Sequence, residues 1–283
     1  MSGLMDGIYH LIGAALPFGW GELQFMQRAI FGVMLLMPLC GAMGVHVVNH
    51  RLAFFSETLS HATFTGVAIG LLLSINPSLT LMAFCVAVAL AINRVRRRSN
   101  LSTDTVVGVI FAVSVALGLA IISAKKELNG ALSSFLYGDI LSLTDADMAV
   151  LLVLFFVVFG TLFALDNRMH LAAVHANLAR SRGVRVHLVE DIYAACLALV
   201  VAAGIRAVGL LLVTAMLTLP AASARSVARS VGQTFWLATI FAFIAGLAGV
   251  VASYEIDIAT GAAIILCAAI LFALAQIVRA ARA

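Results

Sequence analysis

The stretch Phe54-Phe55-Ser56-Glu57-Thr58-Leu59-Ser60-His61-Ala62-Thr63-Phe64 decides how the rest of the chain is read. It sets a carboxylate and an imidazole four residues apart inside a run that otherwise has the composition of a membrane helix. Residues four apart share one helix face. An ionisable side chain at the centre of a bilayer costs about 2.5–3.5 kcal/mol on insertion scales. Two on one face therefore point to a polar path. A carboxylate oxygen and an imidazole nitrogen are donors suited to zinc, manganese or ferrous iron. The residues alone leave a second reading open, in which Glu57 and His61 hydrogen-bond to each other and only brace the helix against a neighbour.

Of the 283 residues, 63% are hydrophobic and 11% charged, against about 25% charged in soluble domains. Apolar segments follow one another near 23–48, 53–75, 78–95, 105–123, 148–165, 189–203, 207–222, 235–253 and 260–278. The expected fold is all-α, a polytopic transmembrane bundle of about eight to nine spans. The segments at 189–203 and 207–222 are short, so one of them is a candidate for a broken or re-entrant span. Residues 1–283 read as a single transmembrane domain. Residues 1–20 hold Asp6 and His10 and lack a basic head, so they read as an arm on the outer membrane surface rather than a cleavable signal.

Basic residues set the orientation. Placing the loops after the first, third, fifth and seventh spans and the C-terminal tail inside gathers Arg51, the cluster Arg94, Arg96, Arg97 and Arg98, then Arg168, Arg180, Arg182 and Arg185, and finally Arg225, Arg229, Arg279 and Arg282. These are 13 of the 17 lysines and arginines, which puts the N-terminus outside and the C-terminus in the cytoplasm. The net charge of +4 is thus a topology signal, and no nucleic-acid partner is implied. Asn76-Pro77 marks a turn, while Ser102-Thr103-Asp104 and Thr144-Asp145-Ala146-Asp147 supply caps for the segments that follow.

Further candidates each carry two readings. His46 and His50, also four apart, fall at the inner surface beside Arg51, either as solvated interfacial residues or as a metal exit site. Asp257, between the last two spans on the outer side, either caps the ninth span or serves an outer gate. Asp139 is expected in an outer turn or cap, with a pathway role as the alternative. In the longest cytoplasmic segment, 166–187, the run Asn177-Leu178-Ala179-Arg180-Ser181-Arg182-Gly183 forms a short helix stopped by Gly183, either a docking element or a solvated loop.

Several chemistries are excluded by pattern. The only lysines, Lys125 and Lys126, follow no glycine, so the chain has no P-loop and cannot hydrolyse ATP through one. HExxH and GxSxG are absent. Cys40, Cys85, Cys196 and Cys267 are far apart within apolar segments and form no CxxC pair, as expected of buried free thiols.

Five blocks in order resemble the membrane permease subunits of bacterial metal-uptake ABC transporters, the zinc/manganese/iron class. They are Arg51-Leu52-Ala53-Phe54-Phe55-Ser56-Glu57-Thr58-Leu59-Ser60-His61-Ala62; Asp104-Thr105-Val106-Val107-Gly108; Leu136-Tyr137-Gly138-Asp139-Ile140-Leu141; Ala207-Val208-Gly209-Leu210-Leu211-Leu212-Val213 with Leu219-Pro220-Ala221-Ala222-Ser223-Ala224-Arg225; and Ser253-Tyr254-Glu255-Ile256-Asp257-Ile258-Ala259-Thr260-Gly261-Ala262. The resemblance implies the metal-type ABC importer permease fold in the bacterial plasma (inner) membrane. It implies a non-enzymatic transport subunit that imports a divalent metal, zinc first, with manganese or iron as alternatives and no permanent cofactor. The implied partners are a second permease copy, cytoplasmic ATP-binding subunits and an external metal-binding protein. Glu57 and His61 would be the metal contacts, and residues 177–184 the coupling helix that docks into the ATPase. Two departures stand out. Glu57 replaces the family's usual Asp, and Asn177 stands where an acid is usual. From the residues alone, a secondary metal transporter without an ATPase, using the Glu–His pair as a proton relay, is the rival reading.

Overall fold

The computed structural model describes residues 24–124, 144–174 and 176–282. The expected arm at 1–20 and Asp139 lie outside them. The described residues form α-helices and no strand: α1 Gln24–Asn49, α2 Ala53–Leu72, α3 Pro77–Arg98, α4 Thr103–Ala124, α5 Asp145–Val174, α6 Ala176–Ser181, α7 Val186–Val208, α8 Leu210–Val227, α9 Val231–Ile256 and α10 Thr260–Ala280. Eight of them are long and apolar enough to cross a membrane. The long helix outside that set is α2. Its 20 residues would span about 30 Å, but Glu57, His61 and five Ser and Thr side chains dilute its apolarity. The segments read as short are longer than expected. The helices α7 and α8 have 23 and 18 residues, and only Gly209, at φ 88°, interrupts them.

Local chemistry sets the helix ends. Pro77 takes the first position of α3, where its missing N–H is no loss, and Asn76 Oδ1 accepts from Ser78 N at 3.0 Å. Ser102 Oγ accepts from Thr105 N at 3.2 Å before α4. Thr144 and Asp147 form a reciprocal capping box before α5, with Asp147 N donating to Thr144 Oγ1 at 3.3 Å and Thr144 N to Asp147 Oδ2 at 3.1 Å.

The chain divides into two compact units. One holds α1 as far as Val45, the first part of α5 to Phe155, and Ala207 onward. In it α8, α9 and α10 pack on one another. The helix α1 is buried almost throughout and meets α9 closely, since a Cβ at Gly41 would stand 2.6 Å from the Ala238 carbonyl oxygen. Arg28 and Asp145 join α1 to α5 at 3.1 Å.

The second unit holds His46 through α4, α5 from Phe156, α6, and α7 to Arg206. Here α2 packs against both α3 and α4. Gly66 and Gly70 permit the first approach. A Cβ at Gly66 would stand 2.8 Å from Leu81 Cα, and one at Gly70 would stand 2.9 Å from Pro77 Cα. Gly118 of α4 leaves room for Phe64 and Thr65 of α2. Gly66→Leu should therefore destabilise by about 1–3 kcal/mol through overpacking. Gly160→Ala, where nothing lies within 4 Å of the new Cβ, should be neutral or gain up to about 1 kcal/mol from helix propensity. Thermal unfolding of the two variants in detergent checks both.

Candidate functional site

Helix α2 buries most of its surface, including Ser56, Thr58, Ser60, Thr63 and Thr65. These hydroxyls are satisfied at the backbone. Ser56 donates to the Ala53 carbonyl at 2.8 Å, Thr58 to Phe54 at 2.9 Å, Ser60 to Ser56 at 3.0 Å and Thr63 to Ser60 at 2.5 Å. Thr65 reaches across to the Ser114 carbonyl of α4 at 2.5 Å. Polar side chains thus enter the packed face without leaving an unpaired group, which would cost about 1–3 kcal/mol each.

The partly open stripe of α2 runs through Phe54, Glu57, His61 and Phe64, at helical spacing. The structure brings the predicted pair together: His61 Nε2 lies 3.1 Å from Glu57 Oε1. The His61 ring stands edge-on to Phe111 of α4, with centroids 5.2 Å apart at 88°, and Phe111 also meets Phe54 at 6.0 Å. Phe111 therefore fixes the imidazole plane from the side. The pair remains open, with 35% of the His61 and 38% of the Glu57 side chain exposed. Among the described residues nothing else bonds to Glu57 Oε2 or His61 Nδ1. Two donor atoms are thereby left for a ligand. No cluster of three or more His, Cys, Asp or Glu that could hold a metal occurs among the described residues, so one chain offers two protein ligands at this place.

The other predicted residues separate. His46 is buried, not solvated as the interfacial reading expects. Its ring packs edge-on to Tyr193 of α7, with centroids 5.6 Å apart, and lies 6.2 Å from His50. His50 lines a cavity of about 100 Å³ with Phe55, Asn93, Arg96, Glu190 and Tyr193 among others. Asp257 ends α9 in the left-handed conformation, φ 55° and ψ 48°, its N–H bonded to the Ser253 carbonyl. It caps the helix before it, whereas the N-cap of α10 is Ala259.

The short helix expected near Gly183 is α6. Gly183, at φ 76°, donates to the Arg180 carbonyl at 3.0 Å, and Val184 donates to the Ala179 carbonyl at 3.0 Å. This double closure is a Schellman stop. Ala179 is buried, while Arg180, Ser181 and Arg182 are exposed. For Asn177 and Leu178 the structure gives the helical backbone alone.

A family model described as the ABC 3 transport family matches residues 22–279. The chain belongs to the ABC 3 transport family. It is 28% identical over 251 residues to the high-affinity zinc uptake system membrane protein ZnuB of Haemophilus influenzae, covering 89% of this chain and 96% of that protein. It is 27% identical over 257 residues to the manganese transport system membrane protein MntC of Listeria monocytogenes, covering 91% of each. In fold it is similar to the solved PsaBC from Streptococcus pneumoniae in complex with Fab, at a TM-score of 0.79 and 24% identity over 97% of this chain and 95% of that one. The apolar helices and these relatives make it a multi-pass protein of the bacterial inner membrane.

Within this ABC 3 chain, sequence reading missed Phe111, the Thr65 link and the acids Glu190 and Asp191. Phe111 and Thr65 are ordinary residues of apolar spans and carry no local signal. Glu190-Asp191 does carry one, as paired acids near the start of an apolar segment. For α6, Gly183→Val should strain the left-handed stop by about 1–2 kcal/mol. Limited trypsin digestion of the folded protein should then cut faster between Arg180 and Arg185 than in the unmodified chain.

Proposed function

We propose that this chain is the permease subunit of an ATP-driven importer of a divalent transition metal, zinc before manganese, and that it works as a homodimer. The observation that carries the reading is the Glu57–His61 pair, half-open on a helix whose other faces are buried. A charged or ligating pair left open on a membrane helix calls for a surface to cover it. A second copy related by a two-fold axis supplies one, and brings two carboxylates and two imidazoles together. Water completes the sphere of a site that must release its ion.

Relatives named for zinc and for manganese stand at nearly equal identity, so the preference for zinc rests on the donors. Imidazole and carboxylate bind zinc more tightly than manganese or ferrous iron in the general affinity order. Manganese is the second reading, favoured by the MntC relative and by the longer reach of Glu57 at a larger ion.

In this account an external metal-binding protein delivers the ion to Glu57 and His61. Separate cytoplasmic ATP-binding subunits dock on α6 and drive alternating access. The ligating forms are ionised carboxylate and neutral imidazole, so acid should weaken uptake. Glu57→Ala and His61→Ala should each lower zinc uptake by about 10–100-fold at unchanged membrane level. The assay is zinc accumulation in cells lacking their own importer, with manganese and iron as competitors. Unmodified uptake in both variants would defeat the assignment, and preferential block by manganese would transfer it to that metal.

A further inference from the structure

The arginine cluster at the end of α3 does more than fix topology. Arg97 binds Asp191 of α7 through both guanidinium nitrogens, Nη1 to Oδ2 at 2.9 Å and Nη2 to Oδ1 at 2.7 Å. Its Nη2 also reaches the His187 carbonyl at 2.7 Å and Glu190 Oε2 at 3.2 Å. Arg96 Nη2 holds the same Glu190 oxygen at 3.0 Å. Asn93, buried one turn back, donates to Asp191 Oδ1 at 3.1 Å and to the Glu190 carbonyl at 3.3 Å. Four charges and an amide thus bind the last turn of α3 to the first turns of α7. At the opposite ends of the same helices, Arg206 Nη1 donates to Ser78 Oγ. The two antiparallel helices are fastened at both ends.

A bidentate arginine fork resists both sliding and rotation, unlike a single point contact. The acids lie close to α6. After the stop at Gly183 only two non-helical residues follow before α7, and the turn between is closed by Val186 N to the Val184 carbonyl at 2.9 Å and Val189 N to the Arg185 carbonyl at 3.1 Å. A push on α6 therefore reaches His187, Glu190 and Asp191 with little slack. From α3 the path continues through the close packing of α3 against Gly66 and Gly70, which lie on the same helix as Glu57 and His61. Every member of this path lies in one compact unit.

We propose that Arg96 and Arg97 with Glu190 and Asp191 form a coupling clamp: positioning residues that carry the displacement of α6 to the helix holding Glu57 and His61. The proposal rests on the transport reading above. The clamp makes α6, α7, α3 and α2 move together, so that ATPase docking repositions the metal pair instead of only bending the loop. Without the fork, α6 moves and α2 lags.

The test uses the complete transporter in proteoliposomes, with zinc import and ATP hydrolysis measured on the same preparation. Arg97→Glu and Asp191→Arg should each raise the ATP spent per imported zinc ion about tenfold, with hydrolysis itself largely kept. The swap Arg97→Glu/Asp191→Arg should recover most of that coupling, and Arg97→Lys, which keeps the charge without the fork, should fall between. An unchanged ratio in the single variants overturns the clamp. So does a joint loss of both activities that the swap fails to relieve, the mark of a purely structural bridge. Import of neither zinc nor manganese by the unmodified transporter overturns the transport reading and the clamp with it. Normal import there, with unchanged coupling in the variants, overturns the clamp alone.

Discussion

A carboxylate and an imidazole sit on one face of a helix that belongs in a membrane, and the rest of the second unit is arranged around that constraint. Each such group costs a few kcal/mol in hydrocarbon. Their mutual contact at 3.1 Å offsets only part of this, because an open i,i+4 pair contributes about 0.3–0.5 kcal/mol. The helix that carries them is therefore too polar to count among the eight apolar spans. It holds its place by close packing. Its hydroxyls return to backbone carbonyls, its glycines let α3 approach, and Gly118 makes room for it on α4. What remains open is the stripe through Glu57 and His61.

That division of faces links packing to function. The buried side makes α2 part of a body with α3 and α4. The open side leaves one carboxylate oxygen and one imidazole nitrogen for a ligand. A helix loosely seated in lipid could not hold donor atoms at a fixed separation, because metal ligation tolerates only a few tenths of an ångström. Phe111 contributes by standing edge-on to the imidazole. On the proposed transport reading the same rigidity has a use, since a site fixed to a body moves when the body moves.

The helices were legible because hydropathy and punctuation are local. Ser102 and Thr144 with Asp147 each cap the helix that sequence reading assigned to them, and the turn read at Asn76-Pro77 also caps the helix after it. The Glu57–His61 pair was legible because a spacing of four fixes a face whatever packs beside it. The lengths of α7 and α8 were underestimated because Arg185, Glu190, Arg206 and Arg225 lower local hydropathy near their ends, and tertiary partners for some of these are invisible in one dimension. His46 looked interfacial because it stands beside His50 and Arg51. Only the packing of Tyr193 against it reveals a buried ring. Asp257 was assigned to the wrong helix because a left-handed residue between two helices can end one or begin the next, and its backbone angles decide. The arginines of α3 were read only as a charge bias between loops, because their pairing with Glu190 and Asp191 joins residues more than ninety positions apart.

The proposed transport function stands on two copies of Glu57 and His61 holding one passing ion. Zinc K-edge X-ray absorption on the purified permease, with metal content counted per chain, tests it most directly. One zinc for every two chains is expected, in a nitrogen and oxygen shell with imidazole scattering that disappears in His61→Ala. One zinc per chain, or an imidazole signature that survives that substitution, would contradict it.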